Sequence, residues 1–465
     1  MASPHTVKVL GTTRVTPASD SPISATEFSH PLTFFDTLWF KFHPVERIFF
    51  YQLNVSNPEY FHSVILPKLK RSLSLTLLHY LPLAGNLRWP SNSPKPIVTY
   101  SPNDGVLVKV AESNSNFSLL SGNEIHKALE LHSLVPQLMM TDNIAPIIAL
   151  QITLFPSQGF CVGITAHHAI LDGRSTTMFV KSWAYLCKQG NTENSSLPPE
   201  LTPFYDRSVI KDPSGLDLLY LKQWLAFTSS DSDPNRRSLI IEQNIRDVPD
   251  DLVRATFDLS REHIKSLREK VLSKLDKAKP LHLSSFVLTF AYVSTCLIKA
   301  RGGESDRTVN FGFAADARSR LNPPIPENYF GNCVLGPLAS AKAGNFMDEN
   351  GFATAAELAS DMVKELEMNG ILEQAEKKLT QFFDVIMETG KQVISVSGSP
   401  RFGVYGADFG WGKPRKVVIV SIDRGGAISL AESRDGSALI EIGLALNKHE
   451  MKTFASLFLD GLRDL

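Results

Sequence analysis

The most constraining feature of this chain is a pair of apolar runs separated by a single turn. Ile147 to Phe155 is apolar at nearly every position, with only Gln151 and Thr153 interrupting it. Pro156-Ser157-Gln158-Gly159 follows as a turn. Phe160-Cys161-Val162-Gly163-Ile164-Thr165-Ala166 then alternates large and small side chains. Two such runs read as the arms of a β-hairpin. A strand without a polar face must be covered on both sides, and helices elsewhere in the chain can supply that cover. Tyr60 to Tyr80 carries Val64, Leu66, Leu69, Leu73, Leu75 and Leu77 among polar residues and stops at Pro82 and Gly85. Residues 175–187 place Met178, Phe179, Trp183 and Leu186 on one face, with Ser175 as the expected N-cap. Ser260 is expected to cap a helix striped by Ile264, Leu267, Val271 and Leu275.

The rest of the C-terminal half follows the same logic. Ser284 to Ala300 is a long buried segment. Val417 to Ile422, Ala427 to Glu432 and Ala438 to Leu446 read as three closing strands, with turns at Arg424-Gly425-Gly426 and Arg434-Asp435-Gly436. A final helix is expected from His449 to Leu462. The fold class is α/β with mixed sheets, without the strict βα alternation of a doubly wound fold.

With 465 residues, length alone suggests three domains or two larger ones. Gln189 to Pro203 is rich in Gly, Asn, Ser and Pro and has little to bury, and Thr228 to Arg237 is a second polar stretch. The expected division is 1–188, a crossover linker over 189–240, and 241–465. Hydrophobic residues at 43% and charged residues at 20% exclude a disordered chain. Lys+Arg 47 against Asp+Glu 48 leaves a net charge of −1. Such a balance gives no field to hold nucleic acid or an anionic membrane.

Cys161, Cys187, Cys296 and Cys333 lie far apart and have no zinc or disulfide spacing, so reduced thiols are expected. The N-terminus shows no signal-peptide pattern, and no apolar run approaches the roughly 20 residues of a membrane span. A cytoplasmic protein is expected, in which the Asn-x-Ser triplets at Asn54, Asn116 and Asn194 stay unglycosylated.

Chemistry concentrates in two strings. The hairpin ends in His167-His168-Ala169-Ile170-Leu171-Asp172-Gly173. Histidine is the natural general base near neutral pH, and a strand-to-loop junction holds it on a rigid support. Of the two histidines, His168 has an acid four residues on. HxxxD alone supplies two ligands, too few for a zinc site. The second string is Asp408-Phe409-Gly410-Trp411-Gly412, a tight loop with a large anchor. Its DFG triplet is not that of a kinase, because no HRD loop or glycine-rich loop accompanies it. No GxSxG elbow or GxxxxGK loop occurs, so serine hydrolysis and NTP hydrolysis have no motif. Asp316-Ala317-Arg318-Ser319-Arg320 offers arginines as partners for Asp172, among many basic residues.

Together these segments resemble the plant BAHD acyltransferase family. HxxxD at His168 to Asp172 and DFGWG at Asp408 to Gly412 form its signature. The resemblance extends to Pro31-Leu32-Thr33-Phe34-Phe35-Asp36, Ser72-Leu73-Ser74-Leu75-Thr76-Leu77 and Tyr329-Phe330-Gly331-Asn332-Cys333. The last of these resembles the branch acting on anthocyanins and other flavonoid or phenolic glucosides.

The resemblance implies two similar-sized chloramphenicol-acetyltransferase-like domains with a substrate channel at their interface and a short piece of the second half packed with the first. It implies His168 as the general base. Asp172 is implied to pair with Arg318, and Gly173, Asp408, Gly410, Trp411 and Gly412 to support the site. Arg174, Ser284, Ser285 and Asn332 are the expected substrate contacts, Arg174 as a candidate for a malonyl carboxylate. Acyl-CoA is the implied co-substrate and a phenolic glycoside the acceptor, with no metal, no cofactor and a monomeric protein. A malonyl donor is expected ahead of a hydroxycinnamoyl one. A non-catalytic binding relative and a thioester hydrolase are the alternatives of other classes.

Overall fold

The computed structural model describes residues 7–19, 22–53, 57–190, 196–228, 237–241, 248–274, 280–387, 392–436 and 438–465. The hairpin forms as Ile148–Phe155 and Gly159–Ala166, antiparallel from Phe155 opposite Gly159 to Ile148 opposite Ala166. Every residue of both arms is buried, because the hairpin lies inside a six-stranded sheet. The spatial order is Val7–Val15, Val106–Ser113, Ile148–Phe155, Gly159–Ala166, Val45–Gln52 and Lys416–Ile419.

Helices Leu66–His79 and Gly173–Gln189 cover one face of this sheet. There Leu69, Leu73, Leu77, Phe179 and Trp183 share a core with Phe49, Phe160 and Val162. Trp183 also donates its indole N–H to the Leu69 carbonyl at 3.1 Å. Val64, expected on the buried stripe, is exposed. The other face carries a smaller core of Ile48, Phe50, Phe117, Leu131, Phe155 and Cys161. Each large side chain buried in this way contributes about 1.5–3 kcal/mol.

The second sheet has seven strands in the order Leu338–Lys342, Thr308–Phe313, Gln392–Ser397, Ile428–Ala431, Ile440–Asn447, Leu252–Leu259 and His126–Lys127. Helix Ser285–Arg301 is apolar nearly all round, since the sheet and helices Arg261–Lys274, Gly351–Met368 and Lys448–Arg463 enclose it. Ser260 Oγ accepts the His263 amide and caps helix Arg261–Lys274, while Leu275 lies outside the described residues.

Each sheet borrows a strand from the other half of the chain. Lys416–Ile419 pairs with Val45–Gln52 in the first sheet, and His126–Lys127 pairs with Leu252–Leu259 in the second. The three closing strands are therefore not one meander. The first ends at Ile419 and joins the other sheet, and Ile422–Gly425 is a helical turn. Arg254 fastens the exchange: it donates to the Ile419 carbonyl at 2.9 Å and pairs with buried Asp423. In the segment read as a crossover linker, Leu216–Thr228 is a helix, and Trp224 donates to the Leu38 carbonyl at 3.0 Å. Residues 191–195 and 229–236 of that segment lie outside the described residues. All four cysteines are free and buried. Burial pushes the Cys161 and Cys296 thiols up to about 12, which leaves them unreactive. Among the described residues no helix is long and apolar enough to cross a membrane.

Candidate active site

Strand Gly159–Ala166 closes with the His167 amide donating to the Ile147 carbonyl at 2.8 Å, after which the chain turns sharply into helix Gly173–Gln189. His168 sits in that turn. Its ring lies flat against Trp39, with centroids 4.6 Å apart and planes 9° apart, and edge-on to Phe42 at 5.9 Å. Nδ1 is enclosed with no hydrogen-bond partner, while the residue as a whole is partly exposed. Burial, helped by the nearby His43, lowers the His168 pKa to about 4. The imidazole is therefore neutral at pH 7 and holds a lone pair ready for a proton. His167 is fully enclosed: its Nδ1 accepts the Ala169 amide at 3.3 Å, and burial with the Lys41 charge lowers its pKa to about 3. Of the pair, only His168 is partly exposed.

Asp172 points the other way. It is the N-cap of helix Gly173–Gln189, in place of the expected Ser175, and its Oδ1 accepts the Ser175 amide at 2.7 Å. Oδ2 accepts the Cys333 amide at 3.1 Å and the Arg318 Nη2 at 2.9 Å. Both side chains of this ion pair are 1% exposed. Arg318 also donates to the carbonyls of Tyr329 and Gly331, at 3.0 and 3.1 Å, and to Asp316 at 3.1 Å. Burial opposes its charge, but Asp172 and Asp316 outweigh that and hold its pKa above the ordinary value.

A second buried carboxylate continues the network. Asp36 bonds the Thr33 amide and hydroxyl at 2.9 Å each and so starts the short helix Phe34–Leu38, which delivers Trp39 to His168. Asp36 also accepts from the amide and side chain of Asn332 and from Arg207. Asn332 Nδ2 donates in turn to the His168 carbonyl at 2.8 Å. Arg207 packs so close to Gly331 that a Cβ there would lie 2.1 Å from its Nη1. Residues 329–333 are thus a strap that ties two buried carboxylates to the histidine loop.

The DFGWG loop lies apart from this cluster. Asp408 Oδ1 accepts the amides of Gly410 and Gly412, both at 2.9 Å, and Oδ2 pairs with Lys188 at 2.6 Å. Both glycines have positive φ, 104° and 95°, which the closed loop requires. Phe409 is buried against Trp183 and Tyr51, while Trp411 meets Phe160 edge-on and lies under Lys68. The loop pins the end of helix Gly173–Gln189 whose other end carries Asp172.

The profile of the Transferase family matches residues 5–460. The chain belongs to this family, the BAHD acyltransferases. It is 48% identical to phenolic glucoside malonyltransferase 1 of Arabidopsis thaliana, covering 98% of each chain. It is 47% identical to malonyl-CoA:anthocyanidin 5-O-glucoside-6''-O-malonyltransferase of the same plant, covering 95% of this chain and 96% of that one. Its fold matches the crystal structure of vinorine synthase with a TM-score of 0.67, at 21% identity, over 98% of both chains. This is the two-domain chloramphenicol-acetyltransferase-like architecture.

In this BAHD acyltransferase the expected site residues fall into three groups. His168, Asp172, Gly173, Arg318 and Asn332 come together, although Asn332 holds the histidine loop and the Asp36 carboxylate, with its side chain fully buried. Asp408, Gly410, Trp411 and Gly412 form their own loop. Arg174 joins the rim of the first group by sharing Asp316 with Arg318, and Ser284 and Ser285 lie at the start of helix Ser285–Arg301. Arg174 is already paired with Asp316 at 3.0 Å and Glu327 at 2.8 Å. Ser284 caps helix Ser285–Arg301 through the Val287 amide. Sequence reasoning missed Trp39, Asp36 and Arg207. The spacing of Thr33 and Asp36 is a helix-start signal that could have flagged Asp36.

The buried histidines predict a pH profile. His43, His167 and His168 are lowered to about 4, 3 and 4, each first by burial. Unfolded histidine titrates near 6.5. Below about pH 6.5 the unfolded chain binds more protons than the native one, so stability is fully present above that pH and falls as pH drops toward 4. Each histidine contributes at most about 1.4 kcal/mol per pH unit in that window. Urea midpoints should therefore decrease steadily between about pH 7 and pH 5; a flat profile would contradict the assignment.

Proposed function

We propose that this acyltransferase moves a malonyl group from malonyl-CoA to a sugar hydroxyl, the 6-hydroxyl, of a flavonoid, anthocyanin or other phenolic glucoside. The observation that carries the chemistry is the neutral, partly exposed His168 ring, seated between Trp39 and Phe42 with Nδ1 enclosed, so that Nε2 is the nitrogen assigned to the substrate. The near-half identity to two malonyltransferases over almost the whole chain supports the donor and acceptor class.

In this reading both substrates meet at His168 in a channel between the halves. Nε2 takes the proton of the acceptor hydroxyl as its oxygen attacks the thioester carbonyl. A tetrahedral intermediate forms. It collapses with cleavage of the C–S bond, and the imidazolium returns the proton to the departing CoA thiolate. No acyl-enzyme forms, and the enclosed cysteines are not needed. Holding both substrates in one channel supplies much of the rate gain. The enzyme acts as a cytoplasmic monomer, with acyl-CoA as its co-substrate and no resident cofactor.

A hydroxycinnamoyl donor is the second reading. Trp39 and Phe42 are half-buried aromatic rings beside His168, with Phe382 packed on Phe42, and they would suit an aromatic acyl group as well as an aromatic acceptor. Competition decides between them. The purified protein is given malonyl-CoA and coumaroyl-CoA together over a panel of phenolic glucosides, and products are read by mass. Malonylated glucosides should dominate. A coumaroyl product in excess overturns the donor. CoA release without acceptor indicates a hydrolase, and no release with any pair indicates a binding protein.

A further inference from the structure

One buried cation beside the His168 loop makes no ion pair among the described residues. Arg47, on strand Val45–Gln52, is 2% exposed. Its Nη1 donates to Thr177 Oγ1 at 2.8 Å. Its Nε is enclosed with no partner. The other buried arginines near the site are matched: Arg318 with Asp172 and Asp316, Arg207 with Asp36. Glu432 is the carboxylate whose field reaches Arg47, yet the two form no ion pair within 4 Å, and Glu432 Oε1 is taken by the Tyr405 amide at 2.9 Å. Burial pulls the Arg47 pKa down to about 10, with Glu432 opposing it only in part. Glu432 Oε2 is likewise enclosed without a partner, and a guanidinium held this dry without a direct ion pair gains from an anion that reaches it.

Its position says which anion that is. Thr177 lies in the first turns of the 17-residue helix Gly173–Gln189, and Gly173 directly follows Asp172. A Cβ on Gly173 would lie 3.7 Å from Arg47 Nη2 and 2.8 Å from a ring carbon of Phe402. The missing side chain admits the Phe402 ring against the backbone, with the Arg47 guanidinium next to it near the positive end of a long helix. Thr177 fixes Nη1, so the unsatisfied edge of the fork is Nε with Nη2. That edge matches the two oxygens of a carboxylate.

We propose that Arg47, with the backbone at Gly173, is the subsite for the free carboxylate of the malonyl donor and thereby sets donor specificity. The inference rests on the malonyl reading above. Arg174 cannot fill this role without giving up Asp316 and Glu327. A donor without the distal carboxylate leaves Arg47 buried and unpaired, and that penalty discriminates against it.

The test compares malonyl-CoA with acetyl-CoA on one phenolic glucoside, using the full chain. Arg47→Gln should lower the malonyl-to-acetyl ratio of kcat/KM by on the order of 10–100-fold, mostly by loss of the malonyl reaction. Arg47→Lys keeps the charge without the fork and should show a smaller fall in the same ratio. An equal loss with both donors, or an unchanged ratio, overturns the subsite. If Arg47→Gln does not fold, the ratio in Arg47→Lys decides, and no change there overturns it. A wild-type protein that prefers acetyl-CoA or coumaroyl-CoA refutes the malonyl reading and the subsite with it. A wild-type preference for malonyl-CoA that survives in Arg47→Gln refutes the subsite alone.

Discussion

His168→Ala is expected to lower kcat/KM by about 10²–10⁴-fold while the protein remains folded. The ring's Nδ1 has no hydrogen-bond partner, and the loop's grip on Asn332 runs through the His168 carbonyl, which alanine retains. What is lost is the proposed imidazole base and the ring stacked on Trp39. A residual rate is expected, because positioning of the two substrates survives the change. Steady-state assays beside a far-UV spectrum provide the measurement. A folded variant with near wild-type transfer would remove His168 from the mechanism.

Arg318→Ala is expected to act on the fold instead. It strips the charge partner from Asp172 and the donor from the carbonyls of Tyr329 and Gly331, all in a site with about 1% exposure. Breaking a buried pair from one side costs about 3–5 kcal/mol. Domains are stable by about 5–15 kcal/mol in total, so much of this protein should fail to accumulate. Soluble yield and the thermal midpoint report it, and whatever folds should keep an intact His168 ring. A well-folded, fully active Arg318→Ala would contradict a supporting role. Asp172→Asn probes the same pair more gently, since the amide oxygen can still cap Ser175.

The parts legible in the sequence were those encoded over short spans. The hairpin showed itself through continuous apolar runs, His168 through its place at the strand end, and the DFGWG loop through two glycines around an aromatic anchor. The Asp172–Arg318 pair came from the family resemblance, since spacing could not choose one arginine among so many. Asn332 reaches Asp36 across 296 residues and Arg207 reaches it across 171, and no local pattern announces such partners. Arg174 looked free because the acids that satisfy it lie 142 and 153 residues away. Asp172 displaced Ser175 as the cap although both suit the position. The destination of Lys416–Ile419 was hidden for another reason. Alternating residues specify which face of a strand is buried and leave its neighbour undetermined.

The two loaned strands decide how the molecule can move. Swinging the halves apart like a clam would tear Lys416–Ile419 from Val45–Gln52 and His126–Lys127 from Leu252–Leu259, with the Arg254–Asp423 pair broken as well. Both strands are edges of the sheets they join, so each is held by one ladder, with the buried Arg254–Asp423 pair beside it. The halves are stitched together at both sheets, and cutting the chain between them would leave each sheet without one of its strands.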